Sequence, residues 1–201
     1  MKITVLDRIL LLLTGLLAAY QIAVGIDNLS TLPMVAYTIG FGVILVAGLL
    51  LIILGFDVLD SPLVVIASTI IPLSLSLGLV WEHLSAWRMP YLAFIIIGFL
   101  AILITRLLPM QNKVPVIVLV VVHGIAGMTI FLLPVIWAMN GRLPVRFALV
   151  GLGGALIGIG GLLLAFLKVG KPLLSRATIL RILPGLLLLM TAAFVLGFSA
   201  Q

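Results

Sequence analysis

Apolar stretches of about 20 residues follow one another along the whole chain, the length a helix needs to cross a hydrocarbon layer about 30 Å thick. Composition points the same way: 65% of the 201 residues are hydrophobic and 8% are charged. A soluble domain needs roughly 25% charged residues to cover its surface. The stretches show no in/out alternation, which excludes a transmembrane β-barrel. The chain reads as an all-α polytopic membrane protein, a seven-transmembrane-helix bundle forming one domain over 1–201.

The spans are expected at 8–27, 33–56, 62–82, 90–108, 114–139, 145–168 and 178–198. Pro33, Pro62, Pro90, Pro115, Pro144 and Pro172 mark the breaks. Proline is tolerated in a first helical turn, where its missing N–H has no partner to lose. Every connection is short, so there is no soluble domain. The N-terminal stretch resembles a signal peptide in its Lys2, Arg8, apolar run and Ala18–Ala19, but the run continues to Ile26 and reads as a retained first helix. Cysteine is absent, which removes disulfides, thiolate metal sites and cysteine nucleophiles.

The formal charge is +6, yet the basic residues fall between spans, where topology explains them better than nucleic acid does. One side holds Lys2, Arg8, Arg106, Lys113, Lys168, Lys171, Arg176 and Arg181; the other holds Arg88, Arg142 and Arg146. Basic loops mark the cytoplasmic side. The N-terminus is therefore expected inside and the C-terminus outside, in a cell membrane of the prokaryotic inner-membrane type. Trp81, Trp87 and Trp137 then lie at the outer boundary, the headgroup level that indole rings favour.

Residues 32–63 laid on 143–174 share Leu32, Pro33, Gly40, Gly42, Leu45, Leu51, Val58 and Leu63 with their mates. This suggests parallel repeats over 8–82 and 114–198, joined by a linker helix at 90–108 and related by an axis along the membrane normal. The three-one-three plan is similar to that of SWEET and PQ-loop sugar transporters. Their Pro-Gln dipeptide does not occur in this chain, and no family is assigned. In the repeat, Asp57 and Asp60 fall on Lys168 and Lys171, two loops of opposite charge that can attract across the pseudo-axis.

Within the sixth span Gly151, Gly154, Gly158, Gly161 and Ala165 follow spacings of three and four and share one helix face. Small residues of this kind let helices approach closely in lipid, so the row reads as a helix-packing seam against another helix or a ligand. His123 lies about nine residues inside the fifth span, roughly 13 Å deep, with Gly124 and Gly127 beside it. An intramembrane ionisable residue is a functional hypothesis by default. Three readings are open: packing with a hydrogen bond to a neighbouring helix, proton handling, or axial ligation of a haem or chlorophyll-type macrocycle with Gly127 giving clearance. A bis-histidine haem with His83 fails, because the two rings differ in depth by about 15–20 Å.

The segment around Trp81, Glu82, His83, Trp87 and Arg88 gathers an acid, a base and a cation at the outer boundary. A zinc site would need a third ligand, and Ser85 lacks an elbow sequence. The cluster is therefore read as an interfacial patch, with Glu82 pairing with Arg88, that faces solvent or a partner; lipid chemistry through Glu82 and His83 is the third-ranked idea. No acidic or basic residue lies at mid-depth, whereas ion-coupled transporters and pumps place one there. The resulting expectation is a non-enzymatic membrane subunit that packs against other membrane proteins, contacts membrane lipids and holds lipid or a pigment. The alternative is a transporter of an uncharged or lipid-like solute, with a mid-membrane cavity lined by Ser68, Ser74 or Thr129.

Overall fold

The computed structural model describes residues 3–27, 29–108, 113–168 and 173–199, with the side chains of Ala165 and Lys168 excepted. Seven long apolar helices account for most of them. These are α1 (Val5–Val24), α2 (Thr31–Leu54), α3 (Pro62–His83), α4 (Arg88–Leu107), α5 (Val114–Met139), α6 (Ala148–Lys168) and α7 (Arg176–Phe198). Short 3-10 turns at Phe56–Asp60, Ser85–Trp87 and Val145–Phe147 lead into α3, α4 and α6. The chain is an integral membrane protein of seven candidate spans.

Boundaries follow local chemistry. The first helix starts three residues before the expected position because Thr4 and Asp7 form a capping box. The Asp7 amide donates to the Thr4 hydroxyl, and the Thr4 amide donates to the Asp7 carboxylate at 2.8 Å. Two orphan N–H groups of the first turn are thereby satisfied. Gly25 and Gly55, both near φ +75°, end α1 and α2 in a backbone region that glycine enters without strain. Pro72, Pro134 and Pro184 sit inside α3, α5 and α7.

Helix contacts run α1–α2, α2–α3, α3–α5, α5–α6, α6–α7 and α7–α1, a closed ring of six. The fourth helix stands outside it, against α3 and α5. Because successive spans run in opposite directions, the ring has two distinguishable ends. The α2–α3, α4–α5 and α6–α7 connections lie at one, called the basic end here. The α1–α2, α3–α4 and α5–α6 connections lie at the other, the aromatic end.

The core differs between them. Toward the aromatic end one cluster joins all six ring helices: Ala18, Tyr37, Phe41, Leu75, Ile130, Phe147, Phe194 and Phe198 among others. Its rings pack edge to face, Phe41 on Phe194 at 6.4 Å and Phe147 on Phe198 at 6.1 Å, an arrangement aromatic quadrupoles favour. Toward the basic end the core forks. One branch packs Leu11, Leu51, Leu180 and Leu183 from α1, α2 and α7 with Phe56 of the turn before α3. The other packs Ile66, Leu73, Ile102, Val122 and Ala126 from α3, α4 and α5.

Candidate functional site: a vestibule at the basic end

A cavity of about 620 Å³ opens at the basic end. Its wall is assembled from the first turns of α3, α5 and α7, the last turns of α4 and α6, and the turn before α3. Leu59, Val65, Val116, Leu164 and Leu180 supply its apolar wall; Thr105, Arg106, Asp60 and Arg176 supply a polar share about as large. Volumes of about 300–1,000 Å³ with a few convergent polar groups are typical of small-molecule sites.

The polar groups are not equivalent. Arg176 donates to the Asp60 carboxylate at 2.8 Å, and both side chains are about half exposed. Thr105 returns its hydroxyl to the Ala101 carbonyl. The Arg106 guanidinium makes one long bond, at 3.4 Å, to the Pro115 carbonyl, and its Nε is buried without a partner. Among the described residues no carboxylate pairs with Arg106. Its charge reaches His123 on α5, whose Nδ1 is also buried and without a partner. Among the described residues no Ser or Thr bonds His123, whose ring lies beside Gly161 of α6, a helix position that offers no side-chain acceptor.

The glycine row of α6 divides. A Cβ on Gly151 would lie 2.6 Å from the Phe131 carbonyl oxygen, and one on Gly154 would lie 2.9 Å from the Ile130 carbonyl carbon. At these two positions α5 and α6 meet backbone to backbone. Farther along, Gly158 has nothing within 4 Å, and a Cβ on Gly161 would just touch His123 at 4.0 Å. Gly124 and Gly127 are likewise open, so the helix surfaces near the imidazole are bare of side chains at three glycines and leave a notch. The Ala165 side chain lies outside the described residues. A second glycine pair, Gly153 and Gly160, meets Phe194 and Leu186 of α7; the three-four spacing of the first row hid it.

At the aromatic end Arg88 turns away from Glu82. Its Nε donates to the Trp81 carbonyl at 2.6 Å, and its guanidinium stands 5.6 Å from the centroid of the Trp81 ring. The Ser85–Trp87 turn folds the chain so that backbone, not carboxylate, is nearest, and the expected Glu82–Arg88 pair does not form. Glu82 instead lies near Tyr37, and Oε2 of one and OH of the other are buried without partners. Tyr37 fits only because Gly78 has no Cβ: one there would lie 2.5 Å from the ring. His83 packs edge-on against Trp137 at 4.7 Å and Phe147 at 5.7 Å. Trp87 is exposed.

Other expectations also change. Asp60 accepts from Arg176; its repeat mate Lys171 and the Lys168 side chain lie outside the described residues, and Asp57 is exposed. Ser68, Ser74 and Thr129 donate to carbonyls of their own helices, as membrane-helix hydroxyls commonly do. Thr129 also accepts from Tyr91 at 3.2 Å. None of the three lines the cavity, which lies nearer the basic end than mid-membrane. Sequence reasoning missed Arg106, counting it as a topogenic charge, and missed Tyr37. The available signal for Arg106 was its place one residue inside the end of an apolar helix. No known protein family, characterised protein or solved structure matches this chain.

Proposed function

We propose that this chain is a non-enzymatic membrane transporter that takes a lipid-like solute into the vestibule at its basic end and passes it along the axis of the six-helix ring. The observation that carries this reading is a cavity at the end where the core is split into two clusters, opposite an end where one aromatic core joins all six helices. A rigid packing subunit has no need of such asymmetry, whereas alternating access needs one end open while the other is sealed. Parallel repeats over α1–α3 and α5–α7, with α4 as linker outside the ring, would supply two halves able to rock about the site. The prolines within α3, α5 and α7 supply points where their ladders bend. The excess of Lys and Arg supports a basic end on the cytoplasmic side of an inner membrane.

The test uses the absence of cysteine. A single Leu75→Cys in the aromatic core is challenged with a membrane-impermeant thiol reagent from the aromatic side. Slow but complete labelling, accelerated when Val65→Cys and Leu164→Cys are cross-linked to draw the basic end shut in the same chain, is the expected result. Protection of Leu75→Cys from that side in every state contradicts transport.

The reading as a subunit of a larger membrane complex has its own observation. The notch of Gly124, Gly127 and Gly158 beside the unpartnered His123 Nδ1 suits the ridge of a partner helix, or a haem or chlorophyll-type ring, better than it suits α5 and α6 themselves. That reading predicts a large stoichiometric particle in mild detergent, reduced in mass by Gly158→Leu. A monomer or homodimer that is indifferent to Gly158→Leu removes it.

A further inference from the structure

The vestibule has a charge pattern that specifies more than an opening. Arg176 is neutralised by Asp60 at 2.8 Å, so Arg106 is the surplus cation among the described lining residues. Its guanidinium carries five N–H donors, of which one makes a 3.4 Å bond and one, Nε, is buried with no acceptor. An unsatisfied buried donor on a charged group costs more than the bond it lacks would contribute. A long basic side chain at a helix end relieves this by reaching water or headgroups; Arg106 is partly buried, and its Nε stays enclosed where α4 meets α5 at the cavity wall. Around it the wall is mixed: Val65, Val116, Leu164 and Leu180, in the first or last turns of their helices, give hydrocarbon beside the polar groups of Thr105, Asp60 and Arg176.

A cation at the mouth with leucine and valine on the opposing walls is complementary to an anionic group carrying a hydrocarbon tail. We infer that the vestibule binds a phosphate-bearing amphiphile, its phosphate on Arg106 and its chain between the two branches of the core. Guanidinium meets phosphate through paired parallel hydrogen bonds, and Thr105 next to it in sequence borders the same space. This deepens the transporter reading and rests on it for the vestibule being a solute site. It also replaces the uncharged solute with an anionic one.

The experiment measures binding to the full chain in detergent, with three probes: dioctanoyl phosphatidic acid, the matching dioctanoylglycerol without phosphate, and inorganic phosphate. The expected result is that phosphatidic acid binds about tenfold or more tighter than the glyceride, the factor a charged hydrogen bond supplies. Arg106→Gln erases that preference, Arg106→Lys keeps part of it, and Arg142→Gln, an equal loss of charge in the α5–α6 connection, leaves it unchanged. Leu164→Trp fills the cavity and weakens both lipids with Arg106 intact, which serves where Arg106→Gln fails to fold. Equal affinity for the two lipids, or a preference that survives Arg106→Gln in a folded protein, overturns the inference. Inorganic phosphate binding as tightly as phosphatidic acid overturns the amphiphile and leaves free phosphate as the source of the anion. Arg106-dependent lipid binding together with one-sided labelling of Leu75→Cys supports the site while removing transport.

Discussion

The two ends of this bundle are built from the same seven helices but solve packing differently. At the aromatic end Phe41, Phe147, Phe194 and Phe198 are all within 2% of full burial and tie the helices of the ring into one core. At the basic end the buried side chains are mostly aliphatic, Phe56 apart, and two separate clusters form with a cavity beside them. Side-chain reach is the lesson. Aromatic side chains can meet from opposite helices across the ring, whereas shorter aliphatic ones pack on their nearest neighbours and leave space where the ends of α3 to α7 converge.

That difference can be broken or sharpened by substitution. The largest effect is expected from Phe194→Ala, which leaves a cavity where α6, α7 and α2 meet and should destabilise by about 3–5 kcal/mol, read as a drop in reversible unfolding in detergent. Next comes Gly154→Leu, which drives a side chain into the α5 backbone and should cost about 1–3 kcal/mol; Gly158→Leu, in open space, should leave the melting temperature of the isolated chain unchanged. Val116→Ala enlarges a space that is already there, so its cost should stay below about 1 kcal/mol, under the range for an interior truncation. The smallest change should follow from breaking Asp60–Arg176, an exposed pair of a kind that contributes about 0–1 kcal/mol. A double reversal, Asp60→Lys with Arg176→Glu, should restore whatever either single change removes. Should Val116→Ala match Phe194→Ala, the two ends would be packed alike and the contrast would fail.

All seven spans were legible in the sequence because length and hydropathy alone specify them. The ring was not, for a physical reason visible in single helices. Leu11 is fully buried while Leu12 and Leu13 are exposed, and Ile102 is buried while Ile104 is half exposed. In lipid both faces favour leucine and isoleucine, so the apolar pattern carries little record of which side meets protein. The start of α1 could have been read from Thr4 and Asp7, which have capping-box spacing. Arg106 was visible as a charge, but its significance depends on what stands opposite it, and sequence holds no record of that. Glu82 and Arg88 were paired on proximity along the chain, and the intervening 3-10 turn defeated the assumption.

The most direct measurement is a pair of spin-label distance distributions on the same two helices, α2 and α4, in lipid nanodiscs. One pair, Leu54→Cys with Leu107→Cys, spans the fork at the basic end; the other, Thr31→Cys with Met89→Cys, spans the aromatic end. All four positions are exposed. The account predicts a broad or two-peaked distribution at the basic end that narrows when phosphatidic acid is added, and a narrower one at the aromatic end under the same conditions. Two single narrow peaks, both indifferent to lipid, would contradict it.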